Sequence, residues 1–240
     1  MKKGFLVGMV LIIMLIFSGC SSKSENNLDK ATKQKNITKI QNNVGEVMGK
    51  SYNYVIENIG EPYITTYYSN KSDFFDLKSI NKESIFKNLD IEFIYPKDSE
   101  ENSALYIYMH KGKVVNVESD ELTDFNSKVK NLKNTLTDSN IIVNYYNNRE
   151  FLTLNKIDLN LIKSYIGKNI NGLKKTSLLG NPNAILYNKD KNEFIDYYII
   201  QDKSKKLNKV LSITYKNDKI LNIRCISSVI AIKEFINIKK

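Results

Sequence analysis

The sequence predicts an α+β chain in which two tandem modules, each of two helices and a four-stranded antiparallel sheet, follow an N-terminal leader and a flexible tether. Three observations predict it. Leu105–Val117 aligns without gaps on Leu211–Ile223, and each copy reads as an alternating strand, a two-residue turn and a second alternating strand. Ile59-Gly60-Glu61-Pro62 matches Leu179-Gly180-Asn181-Pro182, where a glycine ends an apolar-striped stretch and a proline prevents the helix from resuming. The third is a bulk observation: 42% apolar residues, with 15 Tyr and 10 Phe in 240 residues, can supply a core.

Taken in order, residues 1–19 read as a signal peptide. Met1-Lys2-Lys3 is positive, Gly4 to Phe17 is uncharged and mostly apolar, and Ser18-Gly19-Cys20 follows. A membrane-spanning helix needs about 20 apolar residues, so this run is short for one. The arrangement resembles the lipobox of bacterial lipoproteins, with Phe17 where Leu is usual. That resemblance implies cleavage before Cys20, a diacylglyceryl group on its sulfur, and a lipid-anchored place on the extracytoplasmic face of the cell membrane. Residues 20–36 then form a lipidated tether, because almost no large apolar side chain occurs before Ile37. As a coil it would span roughly 20 Å.

The first α+β module is assigned to 37–118. Ile37, Ile40, Val44 and Val47 stripe a segment that closes on Gly49-Lys50. Ser51 is placed to cap a second helix whose Tyr52, Val55, Ile56 and Ile59 share one face. Strand candidates follow at 64–68 and 91–95, then in the 105–117 hairpin. Residues 119–156 are read as a connecting helix over 120–136 and a possible hairpin, Ile141 to Tyr146 with Phe151 to Leu154 around Asn147-Asn148. The second module, 157–240, repeats the order: Leu159, Ile162 and Ile166 before Gly167-Lys168, a helix over 173–179, then strands at 184–187, 194–200 and in the 211–223 hairpin.

This order of elements resembles the β-lactamase-inhibitory-protein fold, which small outer-membrane assembly lipoproteins of the SmpA/OmlA type share. The resemblance covers about 37–118 and 157–226. It implies protein–protein binding rather than catalysis, with partners held on the exposed sheet and its loops. The inhibitory proteins staple their modules with disulfides, which this chain cannot do: it has two cysteines, and Cys20 is committed to lipid, leaving Cys225 alone. Their enzyme-contacting residues have no match here.

The formal net charge is +10, and removal of Lys2 and Lys3 with the leader leaves +8. Such a chain would be drawn to anionic lipid or wall polymers, but a solvated surface in a Lys- and Asn-rich sequence is the plainer reading. The basic residues are scattered among acids without a recognition motif, which argues against nucleic acid. No metal, cofactor or catalytic set is expected: His110 is the one histidine, and phosphate-loop glycines and Cys-x-x-Cys are missing. Cys225 is expected inside, in register with Leu221 and Ile223. If Leu105, Ile107 and Met109 face the helices, Tyr106, Tyr108 and His110 face the other way, joined by Tyr67 and Ile94. The matching positions in the second module are Ser212, Thr214 and Lys216, an ordinary wet surface. Tyrosine binds large area at low entropy cost, so Tyr67, Tyr106, Tyr108 and His110 are the candidate surface for an envelope protein or peptide, unless the tyrosines serve only as cross-strand pairs in the sheet or are covered by the helix over 120–136. The alternative is a receptor for a small ligand or peptide, with a pocket between the modules.

Overall fold

The computed structural model describes residues 30–69, 89–97, 102–130, 139–147, 149–153, 157–201 and 207–227. The leader 1–19, Cys20 and the tether as far as residue 29 lie outside these. The chain is α+β. The described residues form ten strands, paired antiparallel except for one short parallel pair, and five short α-helices. None of these helices is long and apolar enough to cross a membrane. The chain divides into two compact units, 30–147 and 149–227 in described residues.

In the first unit α1 (Lys30–Asn42), a 3-10 turn (Val44–Glu46) and α2 (Tyr52–Ile59) precede β1 (Ile64–Ser69), β2 (Asp90–Pro96), β3 (Ser103–His110) and β4 (Lys113–Glu121). The strands run as an antiparallel meander in that order. The Ser51 side chain accepts from the Tyr54 amide at 3.3 Å, as its place before the stripe predicts. Val55 and Ile59 are buried. Helix α1 corrects the expected tether 20–36, since it begins at Lys30. Polar side chains dock its first turns: Gln34 Nε2 donates to Pro96 O at 3.1 Å, and Lys33 Nζ donates to Glu61 O while lying 5.4 Å from the Tyr95 ring. Composition alone reads such residues as solvated.

The connecting region is also corrected. β4 runs through Glu121, α3 covers Phe125–Lys130, and 131–138 lie outside the described residues. β5 (Ile141–Tyr146) does not form the expected hairpin with Phe151 to Leu154. It pairs antiparallel with β1, placing Ile64 opposite Tyr146 and Tyr68 opposite Ile142. β1 would otherwise present an open row of backbone donors and acceptors, and β5 satisfies them.

In the second unit α4 (Leu159–Lys163) and α5 (Ile170–Lys174) precede a meander of β7 (Ala184–Asn188), β8 (Glu193–Gln201), β9 (Leu207–Lys216) and β10 (Lys219–Ser227). Helix α5 corrects the helix expected over 173–179: the Asn169 side chain caps its start, and it ends at Lys174, where the Thr176 hydroxyl donates to the Leu173 carbonyl at 2.6 Å. β6 (Leu152–Thr153) pairs parallel with β8 at Ile200 and Gln201, beyond the reach of β7. Buried Asn183 fills the junction: its Nδ2 donates to Arg149 O and Glu150 O at 3.2 Å, and its Oδ1 accepts from the Ile199 amide at 2.8 Å. The helices close over Tyr198, Ile200, Leu211, Ile213, Tyr215, Ile220 and Ile223.

Each unit ties its helical segment to the edge strand in the same way. Gly49 N donates to Val114 O and Val114 N to Lys50 O, both at 2.9 Å. Gly167 N donates to Ile220 O at 2.8 Å and Ile220 N to Lys168 O at 2.9 Å. Both glycines have positive φ, 73° and 85°. Beside each clamp the edge strand is bulged. Met109 pairs with Val114 and Tyr108 with Asn116, leaving Val115 over; Tyr215 pairs with Ile220 and Thr214 with Asn222, leaving Leu221 over. The hairpin turns have positive φ at both central residues, Lys111-Gly112 and Asn217-Asp218, the conformation of the tight turns expected there.

A Cβ at Gly49 or Gly167 would meet nothing within 4 Å, so Gly49→Ala and Gly167→Ala test backbone strain alone. Each should cost about 1–2 kcal/mol, read from urea midpoints. Substitutions without effect would contradict the left-handed conformation.

Candidate functional site

Register decides which residues share a face. β2 and β3 place Ile94 opposite Tyr106 and Glu92 opposite Tyr108, and β1 places Ile64 opposite Ile94 and Thr66 opposite Glu92. The face of Tyr106 and Tyr108 therefore continues through Ile94 and Glu92 to Ile64, Thr66 and Tyr68. Tyr67 is not on it. Tyr67 pairs with Ile91, which pairs with Met109, so it lies on the other face and is fully buried. That other face carries Phe93 and Tyr95, and Tyr95 OH donates to Gly60 O at the end of α2 at 2.9 Å. Tyr68 takes the place expected of Tyr67.

The face is less open than its tyrosines suggest. Tyr106 is 6% exposed, and its hydroxyl donates to Glu121 O at 2.8 Å. Tyr108 is half-buried and donates to Glu118 Oε1 at 2.6 Å. Tyr68 OH donates to Glu92 Oε2 at 3.1 Å, and Thr66 Oγ1 donates to Asn144 Oδ1 at 2.7 Å. Burial first, then the charge of Glu92, pushes the Tyr68 and Tyr108 hydroxyls well above their ordinary value. They stay protonated donors at neutral pH. His110 stands at the open end of this face, with its side chain 55% exposed and Nδ1 2.5 Å from Asp90 Oδ1. The structure thus brings Tyr106, Tyr108 and His110 to one face and leaves only Tyr108 and His110 accessible.

The equivalent face of the second unit is not a wet surface. Ser212 is buried, and Thr214 and Lys216 are half-buried. On its helix side a buried carboxylate occurs that sequence reasoning missed. Lys174 Nζ lies 2.8 Å from Asp196 Oδ2 and 5.0 Å from the Tyr215 ring, and Tyr215 OH donates to Asp196 Oδ1 at 3.0 Å. Burial raises the Asp196 carboxyl above its ordinary range, opposed by Lys174 and by the hydrogen bonds from Lys174 and Tyr215. Asp196, like Glu92, is an acid flanked on both sides by apolar and aromatic residues within its strand, and that pattern was its available signal.

Cys225 is half-buried against the core of the second unit, and burial raises its thiol. Leu221, expected inward with it, points out at the bulge and is 45% exposed. Among the described residues no three His, Cys, Asp or Glu side chains are grouped to hold a metal.

No family model matches this chain, and no curated protein matches it. Among solved structures it is similar to a protein of Streptococcus mutans described as a "putative beta-lactamase inhibitor protein". The two share 9% identity over 85% of this chain and 98% of that one, with a TM-score of 0.24. A likeness at that level carries neither architecture nor activity to this chain.

The Asp196 group makes stability depend on pH. A carboxyl whose folded pKa is raised favours folding fully below its unfolded value, and that contribution is lost as pH rises through the folded value. The stability of the native protein minus that of Asp196→Asn should therefore be constant below about pH 3.8, fall as pH rises above it, then level off. A difference independent of pH would contradict the burial. Lys174→Met, which leaves Asp196 uncompensated, should cost about 3–5 kcal/mol at neutral pH in urea unfolding.

Proposed function

We propose that this chain is a lipoprotein anchored through Cys20 to the extracytoplasmic face of the cell membrane, where two copies of one β-lactamase-inhibitory-protein-like module act as a non-catalytic binding or scaffold protein. The observation that carries the module reading is the recurrence of the Gly49–Val114–Lys50 clamp at Gly167–Ile220–Lys168, each beside a bulge and a tight turn. Such bonds depend on backbone course rather than on residue identity, so they support a duplication where side-chain identity is low.

The binding surface in this reading is the rim of the first unit, where Tyr108 and His110 emerge beside Glu118 and Asp90. Tyr106 lies on the same face but is buried, and Tyr67, on the opposite face, is not part of it. Each accessible side chain here joins an apolar body to a polar tip with a fixed partner, a combination suited to recognising a protein or peptide. Tyr108 gives its one O–H to Glu118, so its hydroxyl oxygen is left to accept a hydrogen bond from a partner. The lipid raises the effective concentration of this rim for envelope partners.

Two measurements test this reading. Cys20→Ala should abolish metabolic fatty-acid labelling and leave an unprocessed precursor; unchanged labelling contradicts the anchor. Crosslinking of the full chain in its native envelope should capture a protein that is lost about tenfold or more when Tyr108→Phe and His110→Ala are combined. Equal capture by both forms would contradict the rim.

A further inference from the structure

The two bulges put apolar side chains where a water-facing edge strand would carry polar ones. In the first unit Val115 and Met48 are each 41% exposed, and in the second Leu221 and Ile166 are 45% and 47% exposed. Val115 and Leu221 are the residues left over in β4 and β10, and Met48 and Ile166 precede the clamp glycines. Each pair therefore flanks one set of backbone bonds at the tip where the hairpin turns. Bulges re-aim side chains, and here both re-aim an aliphatic group into solvent.

Around each pair the exposed charge is mainly cationic. The first tip carries Lys50, Lys111 and Lys113. The second carries Lys168 and Lys219, with Asp218 the acid in its turn. Each tip also holds a half-buried tyrosine under a lysine: Lys50 Nζ is 5.4 Å from the Tyr54 ring and Lys168 Nζ 5.0 Å from the Tyr165 ring. Aliphatic groups that protrude by one side chain, flanked by lysines and a tyrosine, match a bilayer interface, with apolar tips below the head groups and ammonium groups among their phosphates. A protein partner of the same hydrophobicity would not call for cations at both tips.

We propose that the bulged tip of each unit docks on the anionic surface of a lipid bilayer, the first tip more strongly because it carries three lysines and no acid in its turn. This rests on the anchored reading for proximity. The start of α1 docks at Pro96, the end of the sheet away from the first tip. The chain from Cys20 to Lys30 reaches at most about 35 Å, enough to span the roughly 25 Å of β3 between them and leave the tip at the membrane. Each lysine near an anionic surface strengthens binding roughly five-fold, an effect that salt screens.

The chain contains no tryptophan, so one introduced at a tip reports alone. Full-length Val115→Trp, Leu221→Trp and, as a control on an exposed face of α2, Glu57→Trp are reconstituted with vesicles of equal parts phosphatidylglycerol and phosphatidylcholine, or of phosphatidylcholine only. The expected result is a blue shift and quenching by brominated lipid for both tip probes in anionic vesicles, larger at Val115. Neither is expected for Glu57→Trp. Adding Lys50→Glu and Lys113→Glu should return the Val115→Trp emission to its value in water. Tip probes that stay water-like while the chain floats with the vesicles would overturn docking and leave anchoring standing. Equal quenching of all three probes would overturn it too, as would a chain that fails to float. Anchoring is decided separately by fatty-acid labelling at Cys20.

Discussion

Each unit depends on a two-bond clamp in which the chain, turning through a glycine of positive φ, meets the start of the edge strand. It sets the register of the helical segment against the sheet edge, which short helices of five to thirteen residues, with little stability of their own, do not set alone. With it, the amides of Val114 and Ile220 are satisfied at the sheet edge, where unpaired groups would invite association. The bulge comes immediately after, so the strand that leaves the clamp carries one residue more than its partner. Val115 and Leu221 are turned outward at this point.

Away from the clamp, both sheet faces are buried along much of their length. In β1 and β5 every residue is buried, which requires polar side chains to find partners inside. Thr66 with Asn144 and Tyr68 with Glu92 do so on one face of the first unit; Lys174 with Asp196 and Tyr215 does so on the helix side of the second. Buried charges of this kind add little net stability over an apolar core, yet breaking one partner is costly. The tyrosines that looked like an open binding face are in part a means of satisfying these carboxylates. What remains accessible is a rim, at Tyr108 and His110, and the tips.

Much of this was legible. The stripe ending at Ile59, the Ser51 cap, the Gly60-Glu61-Pro62 stop and both hairpin turns come from local chemistry and lie where the residues place them; the helix expected to run up to Gly180 ends at Lys174 instead. Three features were not legible, each for a physical reason. Tyr67 and Tyr68 are adjacent, and alternation without a known register cannot say which one shares the face of Tyr106; a slip of one residue exchanges the faces. Leu221 breaks the alternation because a bulge inserts one residue, and nothing in Lys219-Ile220-Leu221-Asn222 marks it. The start of α1 depends on Lys33 and Gln34 finding carbonyls distant in sequence, at Glu61 and Pro96, which no local pattern encodes. The site was thus half visible: its residue types and its place on β3, but not its burial.

Amide hydrogen exchange at Gly49, Val114, Gly167 and Ile220, followed residue by residue, tests the common clamp most directly. All four amides are bonded to carbonyls across the junction, so each should exchange far more slowly than an open chain, with the first pair and the second pair protected alike. Exchange of either pair at the rate of an unstructured peptide would contradict a shared construction of the two units.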